Sequence, residues 1–135
     1  MPFIQDLLAT PSHWTRESRY TALNGFIYLF LGVLFILWPG AIQTLFRDRA
    51  FVGDEGGLFR VLGLTVVVIG WLYLFGGRGG GRQVVVASVI DRLIFVPVVL
   101  LPVAASGIFP HVLVAFTVLD MSLAVGAWVL LARAR

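Results

Sequence analysis

Cysteine and lysine are both missing from this 135-residue chain, and Asp, Glu, Lys and Arg together make up only 13% of it. Without cysteine there are no disulfides, thiol nucleophiles or cysteine metal sites, and the redox compartment stays open. All ten basic residues are Arg, which reads as codon usage rather than physics. The scarcity of charge excludes more. A soluble domain carries roughly 25% charged and about 45–50% apolar residues, whereas this chain is 59% hydrophobic with a mean hydropathy of +0.97. At this length a water-exposed surface would carry large bare apolar patches, so a soluble globular protein is excluded, and so is a disordered chain. An integral membrane protein one domain in size remains. His13 and His111 lie far apart and outside the apolar runs, so no metal site is expected from them, and no cofactor either.

A spanning helix needs about 20 predominantly apolar residues. Four stretches qualify, at about 21–39, 57–75, 83–104 and 111–132. They predict an all-α integral membrane four-helix bundle, up-down-up-down, within residues 21–135. Residues 1–20 form an amphipathic N-terminal segment, where Phe3, Ile4, Leu7 and Leu8 recur at helical spacing. That segment reads as a short interfacial helix on the cytoplasmic surface, with Ser12 as a cap for a further turn. A cleaved signal peptide is the rival reading. Because the first long apolar run starts only near Thr21 and is long enough to span, an uncut first helix is expected.

Between spans one and two lies a connector at 40–56 holding Arg47, Asp48, Arg49, Asp54 and Glu55. The link from Ser106 to Pro110 is so short that spans three and four must be antiparallel neighbours. Six arginines (Arg16, Arg19, Arg78, Arg82, Arg133 and Arg135) fall on one side of a four-span chain and two, Arg47 and Arg49, on the other. The positive-inside rule then puts both termini in the cytoplasm. Trp14, Tyr20, Trp38, Trp71, Tyr73 and Trp128 sit near span ends, where amphipathic rings prefer to be. The Gly-Arg loop at 76–82 has the look of an RNA-binding segment. Two arginines between spans instead suit a flexible hairpin at anionic headgroups, and no nucleic-acid partner is expected.

The informative residues are the charges inside the spans: Arg60, Asp91, Arg92 and Asp120. At ~1.5 Å per residue the last three lie ~12–15 Å deep, near the midplane, and Arg60 lies ~5 Å from the outer end of span two. An ionised group at mid-bilayer costs about 2.5–3.5 kcal/mol on insertion scales. The four charges sum to zero, as a paired network requires. Asp91 and Arg92 are sequence neighbours and point about 100° apart on a helix, so each must look to another span. Asp120 is the natural partner for Arg92, with Arg60 approaching from the outer side. Pro97 leaves the Leu93 carbonyl free, another acceptor for Arg92. Asn24, Tyr28, Ser88 and Thr117 flank the charges, and Gly63, Gly70, Ala124 and Ala127 mark faces where backbones can approach closely. Val61–Trp71 and Val118–Trp128 also align with one another, which sets Gly63 against Asp120.

Three roles fit such a network. Ion pairs can fix helix register in a scaffold or accessory subunit. They can also receive the polar head of a small amphiphile or lipid. A small proton-coupled transporter working as a dimer is the alternative. Four spans in so short a chain resemble the small multidrug resistance exporters, dimers built around a glutamate in the first span, but residues 21–39 hold no acid. No Ser-His, His-Glu or Cys-His constellation, zinc-protease motif or phosphate loop is present, and arginines beside both aspartates suit binding better than proton transfer. No catalytic residue is assigned, and the chain reads as non-enzymatic.

In layout the chain resembles the small bacterial four-span proteins grouped as DoxX-like. The likeness rests on total length, on Phe59-Arg60-Val-Leu-Gly63-Leu at the start of span two and on Leu119-Asp120 in span four. Asp91-Arg92 departs from that pattern. The resemblance implies a multi-pass protein of a bacterial cytoplasmic (inner) membrane. The expected partners are membrane lipids, a small amphiphilic ligand and, at the protein level, a homodimer or larger membrane complex.

Overall fold

A computed structural model describes residues 2–12, 14–79 and 81–134. His13 lies outside them. The chain is a four-helix bundle, and all regular structure among the described residues is helical. Helix α1 is Pro2–Leu8, α2 Arg16–Leu37, α3 Pro39–Leu45 and α4 Glu55–Arg78. The third span, Arg82–Ala105, comprises α5 (Arg82–Ile90), a π-helical turn (Asp91–Phe95) and α6 (Val96–Ala105). Helix α7 is Pro110–Arg133. The first span (α2), the second (α4), the third and the fourth (α7) are each long and apolar enough to cross a membrane. Their outer faces carry the apolar belt a bilayer requires, with Phe30, Leu37, Leu58, Leu72 and Val98 all at least 60% exposed.

Helix limits differ from the apolar runs for local reasons. The first span begins at Arg16, before its apolar run, because Thr15 Oγ1 accepts the Ser18 amide at 3.3 Å and caps the helix. Thr15, not Ser12, is therefore the cap. The earlier start also brings an acid, Glu17, into the first turn, where it is buried. The span ends at Trp38, whose backbone (φ −144°, ψ 65°) is pushed out of the helical region by the proline that follows. Pro39 then starts α3, a short helix inside what reads in sequence as a plain connector. The Gly-Arg segment is also less loop-like than expected. Gly76, Gly77 and Arg78 continue α4, and α5 starts at Arg82.

Helices α2 and α4 lie against each other along most of their length. Close approach is possible because glycine faces backbone. A methyl group added at Gly25 would lie 2.6 Å from the Gly70 carbonyl oxygen, and one at Gly70 would lie 2.6 Å from the Leu29 nitrogen. Helix α7 packs on α2 and on the third span, burying Thr117, Asp120, Ala124 and Ala127. Helix α4 meets α5 but hardly touches α6, so spans two and three splay apart away from the termini. That end is closed by aromatic rings, with Phe35 and Phe59 4.8 Å apart between centroids and Phe51 5.5 Å from Phe59.

The connector holds α7 from outside. Asp48, 6% exposed, accepts the His111 amide at 3.1 Å and the Val112 amide at 2.8 Å. It thereby satisfies two of the free N–H groups at the start of α7 and lies where the helix dipole favours a negative charge. His111 Nδ1 is 3.0 Å from the same carboxylate. Beside it Arg49 forms a bidentate pair with Glu55 (2.6 and 2.8 Å) and lies 4.8 Å above the Phe109 ring.

Candidate functional site: a tyrosine-braced polar cluster beneath an apolar cleft

The mid-span charges turn inward. Arg92 is 1% and Asp120 2% exposed, and Asp91 is half-buried. Their bonding differs from the expected pairing: no Arg–Asp ion pair joins the spans among the described residues. Tyrosines hold the carboxylates instead. Tyr28 in span one donates its hydroxyl to Asp120 Oδ1, and Tyr73 in span two donates to Asp91 Oδ2 at 2.8 Å. A tyrosine hydroxyl stabilises a buried carboxylate without bringing in a second charge that must itself be desolvated. The two rings meet edge to face at 5.4 Å, so one aromatic pair braces two acids.

Arg92 folds back along its own helix. Nε donates to the Ser88 carbonyl at 2.9 Å and Nη2 to Ser88 Oγ at 3.0 Å, while Ser88 Oγ donates to the Val85 carbonyl at 2.8 Å. With its amide oriented to satisfy both ends, Asn24 accepts from Arg92 Nη1 at 3.0 Å and donates to the Tyr20 carbonyl at 3.2 Å. The guanidinium also lies 5.1 Å from the Tyr73 ring centre. The π turn, in which the Val96 amide reaches back to the Asp91 carbonyl, starts one residue before Arg92. The acceptor taken is Ser88, one turn before Arg92, rather than the Leu93 carbonyl beyond it.

Arg60 is not part of the cluster. It is exposed on the second turn of α4, where its long stem can carry the guanidinium toward the nearby interface. Thr117 is buried but donates to the Leu113 carbonyl of its own helix at 2.8 Å. Of the eight polar residues singled out from sequence, six are thus gathered at one level: Asn24, Tyr28, Ser88, Asp91, Arg92 and Asp120. Tyr73 is the member that sequence reasoning missed.

Where α4 and α6 diverge, a cavity of about 280 Å³ opens above the cluster. Its floor is Tyr28, Tyr73, Asp91 and Asp120, and its walls are mainly apolar side chains of spans two, three and four, with Phe35 from span one. Leu62, Phe95 and Val99 line it and are 39%, 61% and 59% exposed, so the opening faces sideways, toward acyl chains. Asp91 Oδ1 and Asp120 Oδ2 have no hydrogen-bond partner among the described residues. Comparison with protein-family models, with the curated proteins and with the solved structures finds no match for this chain.

Proposed function

We propose that this is a non-enzymatic integral membrane protein that takes a small amphiphile or lipid from the bilayer into the cleft between spans two, three and four. The observation that carries the reading is a sideways-open apolar cavity ending on four convergent polar side chains. Apolar walls with a few placed polar groups are the usual make-up of a small-molecule site. Buried ionisable groups at mid-membrane mark such sites by default. The rest of the cluster, Arg92 with Ser88 and Asn24, has every described polar contact within the protein and serves assembly. The bracing also suits an accessory subunit whose partner presents or receives the ligand. The six-to-two division of arginines supports cytoplasmic termini, and the resemblance in layout supports a bacterial inner membrane.

Gentle purification of the wild type and of Val99→Trp, followed by mass spectrometry of what accompanies each, tests this reading. A single amphiphile species near one per chain is expected with the wild type and not with the variant, whose indole fills the opening. Identical mixed lipid in both preparations overturns the binding reading. A stoichiometric protein with no such species supports the scaffold role instead.

A further inference from the structure

Among the described residues, the floor of the cleft accepts hydrogen bonds and has none to offer. Three hydroxyls line the cavity, and each has its proton engaged: Tyr28 to Asp120, Tyr73 to Asp91, and Thr65 to the Val61 carbonyl of its own helix. What stays available is one carboxylate oxygen on each aspartate. Among the described residues two carboxylates line the cavity and no basic side chain does; the Arg92 guanidinium donates to Ser88 and Asn24. With Arg60 exposed elsewhere, the formal charge of the mid-span cluster is −1, two aspartates against one arginine. An anionic head (a fatty-acid carboxylate or a phosphate) would find repulsion and no donor. A carbonyl head would find no donor.

We infer that the cleft selects an amphiphile whose polar end is a protonated amine. The inference rests on the binding reading above and gives it a head-group chemistry. An ammonium group carries three donors and one positive charge. It can donate to the free oxygens of Asp91 and Asp120, which line the same cavity, and neutralise the cluster where the surrounding dielectric is low. Its apolar body lies against the walls near Val66 and Val99. The volume is nearly twice the ~150 Å³ of an apolar cavity that accepts benzene, so a compact body fits and a longer tail projects through the side opening.

The test uses three probes sharing one chain, dodecylamine, dodecanol and dodecanoate, against purified full-length protein in a neutral detergent. Thermal unfolding at increasing probe concentration gives apparent affinities. Dodecylamine is expected to raise the unfolding temperature of the wild type, and dodecanoate is expected to leave it unchanged. Asp120→Asn and Asp91→Asn each weaken dodecylamine about tenfold or more, the loss of one charge-assisted contact. Should Asp120→Asn fail to fold, the half-buried Asp91 carries the comparison. If dodecanol or dodecanoate binds as tightly as the amine, or if neither aspartate variant weakens the amine, the head-group assignment is wrong. The cleft itself still stands if Val99→Trp abolishes the binding that is seen. If no probe shifts the wild type, or Val99→Trp changes none of the shifts, the cleft is not a binding site and both readings fall.

Discussion

Helix α4 has two very different neighbours. Against α2 it packs backbone to backbone over most of its length; against α6 it leaves a gap wide enough for a ligand. The cause is in the side chains. On the α2 side, Gly63, Gly70 and Gly77 are buried, and they face Gly32, Gly25 and Ala22. Without side chains in the way, the helices approach until carbonyl meets backbone, and packing alone holds them in lipid. On the α6 side, α4 offers Leu62, Thr65, Val66 and Ile69, and the third span offers Phe95, Val96, Val99 and Leu100. Branched and bulky residues on both faces keep the backbones apart. A bundle this small thus has two unlike seams, one that packs backbone to backbone and one that stays open as a cleft.

The sharpest way to break the contrast is to make the two sides alike. Gly70→Leu puts a side chain where even a methyl group meets backbone at 2.6 Å. It is expected to cost about 3 kcal/mol or more, the upper end for overpacking, and to abolish folded yield by size-exclusion chromatography. Val99→Trp on the cleft side should leave that yield essentially intact. The next largest effect is at Arg92. Arg92→Gln removes a guanidinium that bonds to Ser88 and Asn24. A loss of about 2–3 kcal/mol is expected in reversible denaturation in mixed micelles, since hydrogen bonds to charged groups contribute about 1.5–3 kcal/mol each. The smallest is away from both seams. Asp48→Ala frees two amides at the start of α7 and should cost about 1–2 kcal/mol, as capping residues do. It should also raise hydrogen exchange at His111 and Val112 without altering the cleft.

The bundle was largely legible because hydropathy runs report bilayer width directly. Asn24, Tyr28, Ser88 and Asp120 were legible as an inward strip because small and polar residues recur at helical spacing. Tyr73 was not, since an aromatic near a span end reads equally well as an interfacial anchor and only depth distinguishes the two. Arg60 misled for a related reason. Its formal charge balanced the set, but a long stem near a helix end lets the head leave the bundle. Tyrosine rather than arginine holds the carboxylates because Arg92 bonds back along its own helix to Ser88, and no residue pattern announces that side-chain direction. Asp48 was invisible as a cap because the amides it meets are 63 and 64 residues away.

Tyrosine hydroxyls, rather than direct ion pairing, hold the mid-membrane carboxylates. Double-mutant cycles on unfolding free energy test it most directly, one with Tyr28→Phe and Asp120→Asn, the other with Arg92→Gln and Asp120→Asn. A coupling of about 1 kcal/mol or more is expected for Tyr28 with Asp120, above the ~0.6 kcal/mol average for hydrogen bonds between membrane helices, and a smaller one for Arg92 with Asp120. A coupling near zero for the tyrosine pair, with the larger value on Arg92, would contradict the account.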